Sequence, residues 1–234
     1  IYDDGITNYL AYKLGRTFGM ISNGTVIVGH DARLSSNALN TNLIKGLLEV
    51  GTKVIDIGLV TTPMLYYARE FFNEPFAVMI TASHCDKEYN GFKLCGSDGC
   101  LYGDKITKLY DLILNDNYEE KTGKLSSYDL KDDYIKLITD KIKLGNRKLR
   151  VVVDCGNGTT SYYNPDIIEK LGVEVIPLYC TSDPLFPNHI PDPAVDSNMV
   201  DLEKMVKEKN ADLGIAFDGD GDRIGIVDEK GNLV

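Results

Sequence analysis

The chain has 234 residues, enough for two domains at the usual ~100–200 residues each. With 43% hydrophobic and 26% charged residues it has the composition of an ordinary globular protein, not of a disordered or fibrous one. Thirty-five acidic against 25 basic residues leave a net charge of −10. That balance excludes a surface built to neutralise nucleic-acid phosphates or to dock on anionic lipid, while a few cations focused in a cleft still admit an anionic small substrate.

In chain order, the pattern predicts a strand over 24–29, a helix over 35–50, a strand over 53–57, a helix over 62–72 and a strand over 76–80. Such alternation implies βαβ units and a mostly parallel sheet. A helix over 103–114 follows, then the polar stretch DNYEEKTGKLSS (116–127), the best candidate for a linker. A helix over 128–143 comes next, with Leu130, Tyr134, Leu137 and Ile138 spaced for one face. The alternation then restarts with a buried strand over 148–154, a CGNGTTS turn, a helix over 161–171, a strand VEVIPLY and a Pro-rich loop. A helix over 199–208, a strand over 211–217 and a terminal hairpin RIGIVDEKGNLV complete it. The expected architecture is two consecutive α/β domains with mixed, mostly parallel sheets flanked by helices, residues 1–145 and 146–234. Both ends look cut, since the first residues lead into helical pattern with no strand before it.

No stretch reaches the ~20 apolar residues that span a bilayer, and the first residues carry neither a basic nor an apolar targeting region. A cytoplasmic protein with no membrane partner is expected. The five cysteines are an odd number with no CxxC spacing, so neither a disulfide framework nor a zinc site is indicated.

In FDGDGDR, Asp218, Asp220 and Asp222 alternate with Gly219 and Gly221 directly after an apolar strand. Glycines permit the tight backbone on which alternate carboxylates converge, and clustered carboxylate oxygens suit a hard cation such as Mg²⁺ or Ca²⁺. An EF-hand fits the acidic spacing but fails at Arg223, where its sharp turn demands glycine, and both flanks read as strands. The alternative for an isolated acidic triplet is a solvated turn. Arg223, beside the carboxylates, is placed to take a phosphate oxygen through its fork of donors.

The strand FAVMI runs into TASHCDKEYNGFKL, which sets Ser83 and His84 on a loop at a strand end, with Lys93 further on. A serine can carry a phosphoryl group usefully only among cations, and Lys93 plus a divalent metal would supply them. By itself the serine loop reads better as a hydrogen-bonded turn.

Together, TASH, YNGFK and DGDGDR in this order resemble the α-D-phosphohexomutase family of phosphoglucomutases, phosphomannomutases and phosphoglucosamine mutases. GHDARLSS (29–36) and VVVDCGNGTTS (151–161) look like that family's domain-opening segments, so the resemblance spans essentially the whole chain. LFPNHIPDP (185–193) looks most like the bacterial phosphomannomutase/phosphoglucomutase branch. The resemblance implies the family's domains 1 and 2, with Ser83 as the phosphoserine. It also implies that Asp218, Asp220 and Asp222 hold Mg²⁺ together with Ser83, that Arg223 stabilises the transferring group, and that His84 and Lys93 lie close to the reacting hydroxyl. The implied reaction interconverts hexose 1-phosphate and hexose 6-phosphate through a hexose 1,6-bisphosphate. His189, in the Pro-rich loop, is expected to be a loop residue and not a catalyst, and Arg33 to form a salt bridge supporting the first domain.

Where the family has Asn-Pro after Ser-His, this chain has Cys85 and Asp86. The change removes a fixed φ and an amide, and adds a negative charge beside a residue that would carry about −2 when phosphorylated. The family's first segment and its two C-terminal domains, which read the sugar and clamp the second phosphate, are also absent from these 234 residues. The chain is expected to be the phosphotransfer half of a longer parent and to isomerise hexose phosphates poorly or not at all. The rival expectation is a noncatalytic, phosphohexomutase-like binding protein.

Overall fold

The computed structural model describes residues 1–115 and 117–234. They form two compact units, Ile1–Thr81 with Glu88–Leu130, and Ala82–Lys87 with Lys131–Val234.

The first unit opens with α1 (Asn8–Ser22), β1 (Thr25–His30), α2 (Ser36–Glu49), β2 (Lys53–Leu59), α3 (Thr62–Phe72) and β3 (Ala77–Ile80). It continues with β4 (Phe92–Gly96), β5 (Gly99–Cys100), α4 (Asp104–Asn115) and β6 (Lys124–Ser127). The six strands run in the order β5-β4-β3-β1-β2-β6, with β1, β2, β3 and β6 mutually parallel and β4 and β5 antiparallel at one edge. Residues Val26 and Val28 face a core shared with Leu14 and Phe18 of α1, Leu39 and Leu43 of α2, and Leu109 of α4. Gly29 points the other way, toward Leu65 of α3, as period-two alternation demands. Boundaries follow local chemistry. Thr7 caps α1 by accepting the Leu10 N–H at 3.1 Å, Pro63 sits in the first turn of α3, and Asn23 and Asn73 end α1 and α3 in the left-handed conformation.

The second unit holds α5 (Lys131–Lys141), β7 (Arg150–Asp154), α6 (Asn164–Lys170), β8 (Glu174–Leu178), α7 (Val200–Lys209), β9 (Leu213–Phe217) and β10 (Ile224–Val227). Its sheet has the order β10-β9-β7-β8, parallel except for β10. Val152 packs with Leu202 and Val206 of α7 on one face, and Val151 and Val153 pack with Ile168 of α6 on the other. Each such side chain, fully buried, contributes roughly 1.5–3 kcal/mol. Pro177 is tolerated in β8 because that strand is an edge.

The two α/β units with mixed sheets and flanking helices match the architecture expected. Four details differ. The division falls between Leu130 and Lys131, where 145/146 was expected, because α5 packs on α6. The stretch expected to be a linker contains β6, which pairs with β2, and Lys121 also bridges Val50; Asp116 lies outside the described residues. Within α5 it is Ile135 that is buried, while Tyr134, Leu137 and Ile138 are half-buried. The strands β4 and β5 lie in a segment to which the sequence reading assigned no element. Among the described residues no helix is long and apolar enough to cross a membrane.

Candidate active site

The segment Ala82–Lys87 follows β3 and clusters with the second unit. Its flanks are held in the first. Thr81 donates its N–H to Gly91 O at 3.0 Å, Asp31 donates to Ile80 O at 3.0 Å, and Arg33 Nη1 donates to Tyr89 O at 3.1 Å. Arg33 in turn pairs with Asp31 at 3.1 Å, both side chains nearly inaccessible, so the salt bridge expected of Arg33 is present. Asn90 completes this network by donating to Ser35 and Ser36.

Within the second unit, Ser83 is buried and sits at φ 51, a left-handed conformation that costs a residue with a Cβ roughly 1–3 kcal/mol and concentrates at functional sites. Its Oγ donates to Asp218 Oδ2 at 2.6 Å. Arg223 Nη2 and His84 Nδ1 both lie 3.5 Å from the same Oγ. The other oxygen of Asp218 accepts the N–H groups of Asp222 and Arg223 at 3.0 and 3.1 Å. The acidic loop is thus wound around its own first carboxylate between β9 and β10, at the carboxyl end of a parallel strand.

Gly219 makes the approach possible. A Cβ there would lie 2.4 Å from Ser83 O, a backbone atom that cannot rotate away. The turn after β7 supports the loop from beneath, Thr159 donating its N–H to Gly219 O at 3.0 Å.

Asp218 and Asp220 are fully buried, and Asp222 is exposed at the loop surface. Burial and the neighbouring Asp220 charge push Asp218 up to about 7, against the hydrogen bond from Ser83. One carboxylate oxygen from each of the three lies within 4.8 Å of the others. An all-oxygen, triply acidic donor set of this size fits a hard divalent cation, whose charge would relieve the repulsion. The EF-hand is excluded by the flanking strands.

Ser83, His84, Arg223 and the three aspartates are therefore together in one unit. Lys93 lies in the first unit, half-buried on β4 opposite Met79. Asp86 is exposed and turns its carboxylate onto the N–H of Lys87 at 2.8 Å.

A pair that sequence reasoning did not join is Asp154 and His189. The Nε2 of His189 lies 3.1 Å from Asp154 Oδ2, whose carboxylate is wholly buried. Burial disfavours the imidazolium, but hydrogen bonding and attraction from Asp154 outweigh it and raise the His189 pKa. The Pro-rich loop that carries His189 braces the turn after β7, Asn188 donating to Asn157 Oδ1 at 2.7 Å and Pro191 lying 3.4 Å from the Cβ position of Gly219. Thirty-five positions separate the two residues, and no local pattern links them.

Residues 1–120 match the family described as phosphoglucomutase/phosphomannomutase, alpha/beta/alpha domain I, and residues 132–231 match its alpha/beta/alpha domain II. The chain is 44% identical to a phosphomannomutase/phosphoglucomutase of Pseudomonas syringae pv. tomato over all of its own length and 51% of the relative's. It is 35% identical to a phosphoglucomutase of Neisseria meningitidis, covering 98% of the chain and 51% of the relative. A crystal structure of a phosphoglucomutase/phosphomannomutase family protein from Burkholderia thailandensis superposes with a TM-score of 0.92 at 35% identity, covering 97% of this chain and 52% of that one. The chain spans about half the length of the curated relatives it matches. With both domain matches falling on the two units described above, the chain belongs to the phosphoglucomutase/phosphomannomutase family.

Proposed function

We propose that this chain is the phosphotransfer half of an enzyme that interconverts hexose 1-phosphate and hexose 6-phosphate, of mannose, glucose or both, with Ser83 as the phosphate carrier. The observation that carries the reading is Ser83 Oγ held 2.6 Å from a buried aspartate of a triple-carboxylate loop, with an arginine nitrogen 3.5 Å from the same oxygen.

In the first transfer a hydroxyl of the hexose phosphate attacks the phosphoserine, the P–Oγ bond breaks, and the sugar leaves that step as a hexose 1,6-bisphosphate. In the second, Ser83 Oγ attacks the other phosphate of the bisphosphate and is phosphorylated again. Catalysis of such transfers is mostly positioning and charge neutralisation. Asp218 orients Oγ, its own carboxylate fixed by two backbone N–H groups. Arg223 presents its guanidinium to the oxygens of the transferring group, with His84 beside the same Oγ. Asp218, Asp220 and Asp222, with an oxygen from phosphorylated Ser83, would hold Mg²⁺, which supplies charge neutralisation on the phosphoryl oxygens.

The test is intact-mass measurement of the chain after incubation with glucose 1,6-bisphosphate and Mg²⁺. One phosphate should be gained by the unsubstituted chain and none by Ser83→Ala. A chain that gains no phosphate, or a Ser83→Ala variant that still gains it, would overturn the proposal. Release of free phosphate without need of Ser83 would instead indicate a phosphatase built on the acidic loop.

A further inference from the structure

The hairpin formed by β4 and β5 sets two cysteines opposite one another. Register pairs Cys95 with Cys100, one step from the Gly96–Gly99 pair at the turn. On the far side Leu101 donates its N–H to Leu94 O at 2.7 Å, so hydrogen-bonded rungs flank the cysteine pair, which occupies a non-hydrogen-bonded position. At such positions the Cα atoms approach to about 4.5 Å, inside the span of roughly 4.4–6.8 Å that a disulfide bridges. The two Sγ atoms are already 3.2 Å apart. Arg69 steadies the turn by donating to Gly96 O at 3.0 Å.

The two thiols differ in access. Cys100 is exposed and Cys95 is fully buried. Burial, with the neighbouring Cys100 sulfur, pushes the Cys95 thiol up to about 12, against Arg69 and Lys93. Burial makes Cys95 a poor nucleophile toward solvent, so the first attack falls to the exposed Cys100, and the 3.2 Å between the sulfurs sets Cys95 within reach of a mixed disulfide formed there.

We propose that Cys95 and Cys100 are a redox-modification site that closes to an intramolecular disulfide by exchange with low-molecular-weight disulfides. The Cys100 thiolate attacks one sulfur of the small disulfide, the small S–S bond breaks, and one small thiol departs with the electron pair and a proton. Cys95 then gives up its proton and attacks Cys100 Sγ, which releases the second small thiol. Two protein thiols are oxidised and one small disulfide is reduced to two thiols, with no other oxidant. The bond ties β5 to β4, the strand that also carries Lys93, and because the pair is partly exposed it is reducible again. The inference stands apart from the phosphotransfer reading.

The experiment treats the chain with oxidised glutathione and maps cysteine-containing peptides by mass. The unsubstituted chain should yield the Cys95–Cys100 disulfide with no glutathione retained there. Cys95→Ser should hold glutathione on Cys100, and Cys100→Ser should leave Cys95 unmodified. Amide exchange at Leu101, whose bond to Leu94 O is the rung next to the cross-link, should slow several-fold on oxidation. The proposal is overturned if the unsubstituted chain retains glutathione on Cys100 as Cys95→Ser does, or if Cys100 stays unmodified in both. It is equally overturned if the bond forms between Cys155 and Cys180, whose sulfurs are also 3.2 Å apart, while Cys95 and Cys100 remain thiols.

Discussion

Replacing Gly219 with alanine tests the closest approach in the candidate site. The added Cβ would meet Ser83 O at 2.4 Å where ordinary van der Waals contact begins at 3.4 Å, so the acidic loop and the Ser83 backbone must separate by about 1 Å in a close-packed interior. That separation takes Ser83 Oγ, now 2.6 Å from Asp218 Oδ2, beyond hydrogen-bond range. Misplacement of about 1 Å costs on the order of 10²-fold in a reaction that depends on positioning, and overpacking costs roughly 1–3 kcal/mol of stability. Two measurements read these effects, the rate of Ser83 phosphorylation from glucose 1,6-bisphosphate and the urea midpoint. Gly145→Ala is the control, since nothing lies within 4 Å of its Cβ position. A Gly219→Ala chain as stable as the control and phosphorylated as fast as the unsubstituted protein would refute the reasoning.

The His189 imidazolium faces Asp154, with Asp201 nearby and the Tyr179 ring against it. A pKa raised on folding contributes stability that is present below the unfolded value near 6.5 and is lost as pH rises through the folded one. His189→Gln should therefore be most destabilising in urea melts near pH 5.5 and progressively less so by pH 8.5; a deficit that grows with pH would contradict the pairing. Mg²⁺ at 100-fold excess over its dissociation constant should stabilise the unsubstituted chain by about 2.7 kcal/mol, and Asp220→Asn should lose most of that increment. An Asp220→Asn variant that retains the full Mg²⁺-dependent shift would remove Asp220 from the cation site.

Much of the fold was legible because its signals are local. The runs around Val26–Val28 and Val151–Val153 are continuous apolar segments because strands buried on both faces need apolar residues throughout. Asp218, Asp220 and Asp222 could be grouped from sequence because alternate positions on a glycine-rich turn converge without help from elsewhere in the chain. Strands β5 and β6 were missed or misread because they are short edge elements, and β4 because it is defined by its antiparallel pairing with β3 and β5. The polar KLSS of β6 is strand only through pairing with β2. Likewise the allegiance of α5 depends on its contact with α6, which its own sequence does not encode.

What the sequence determined by itself was the family resemblance, the alternating α/β order and the identity of the charged loop, all properties of neighbouring residues. What only the tertiary structure decided was which distant groups meet. Ser83 reaches Asp218 across 135 positions because Gly219 lacks a side chain, and His189 finds Asp154 because a Pro-rich loop folds beneath the turn after β7. Each of these contacts exists only once the chain has closed on itself, because its partners are brought together by strand pairing and packing and by no local preference.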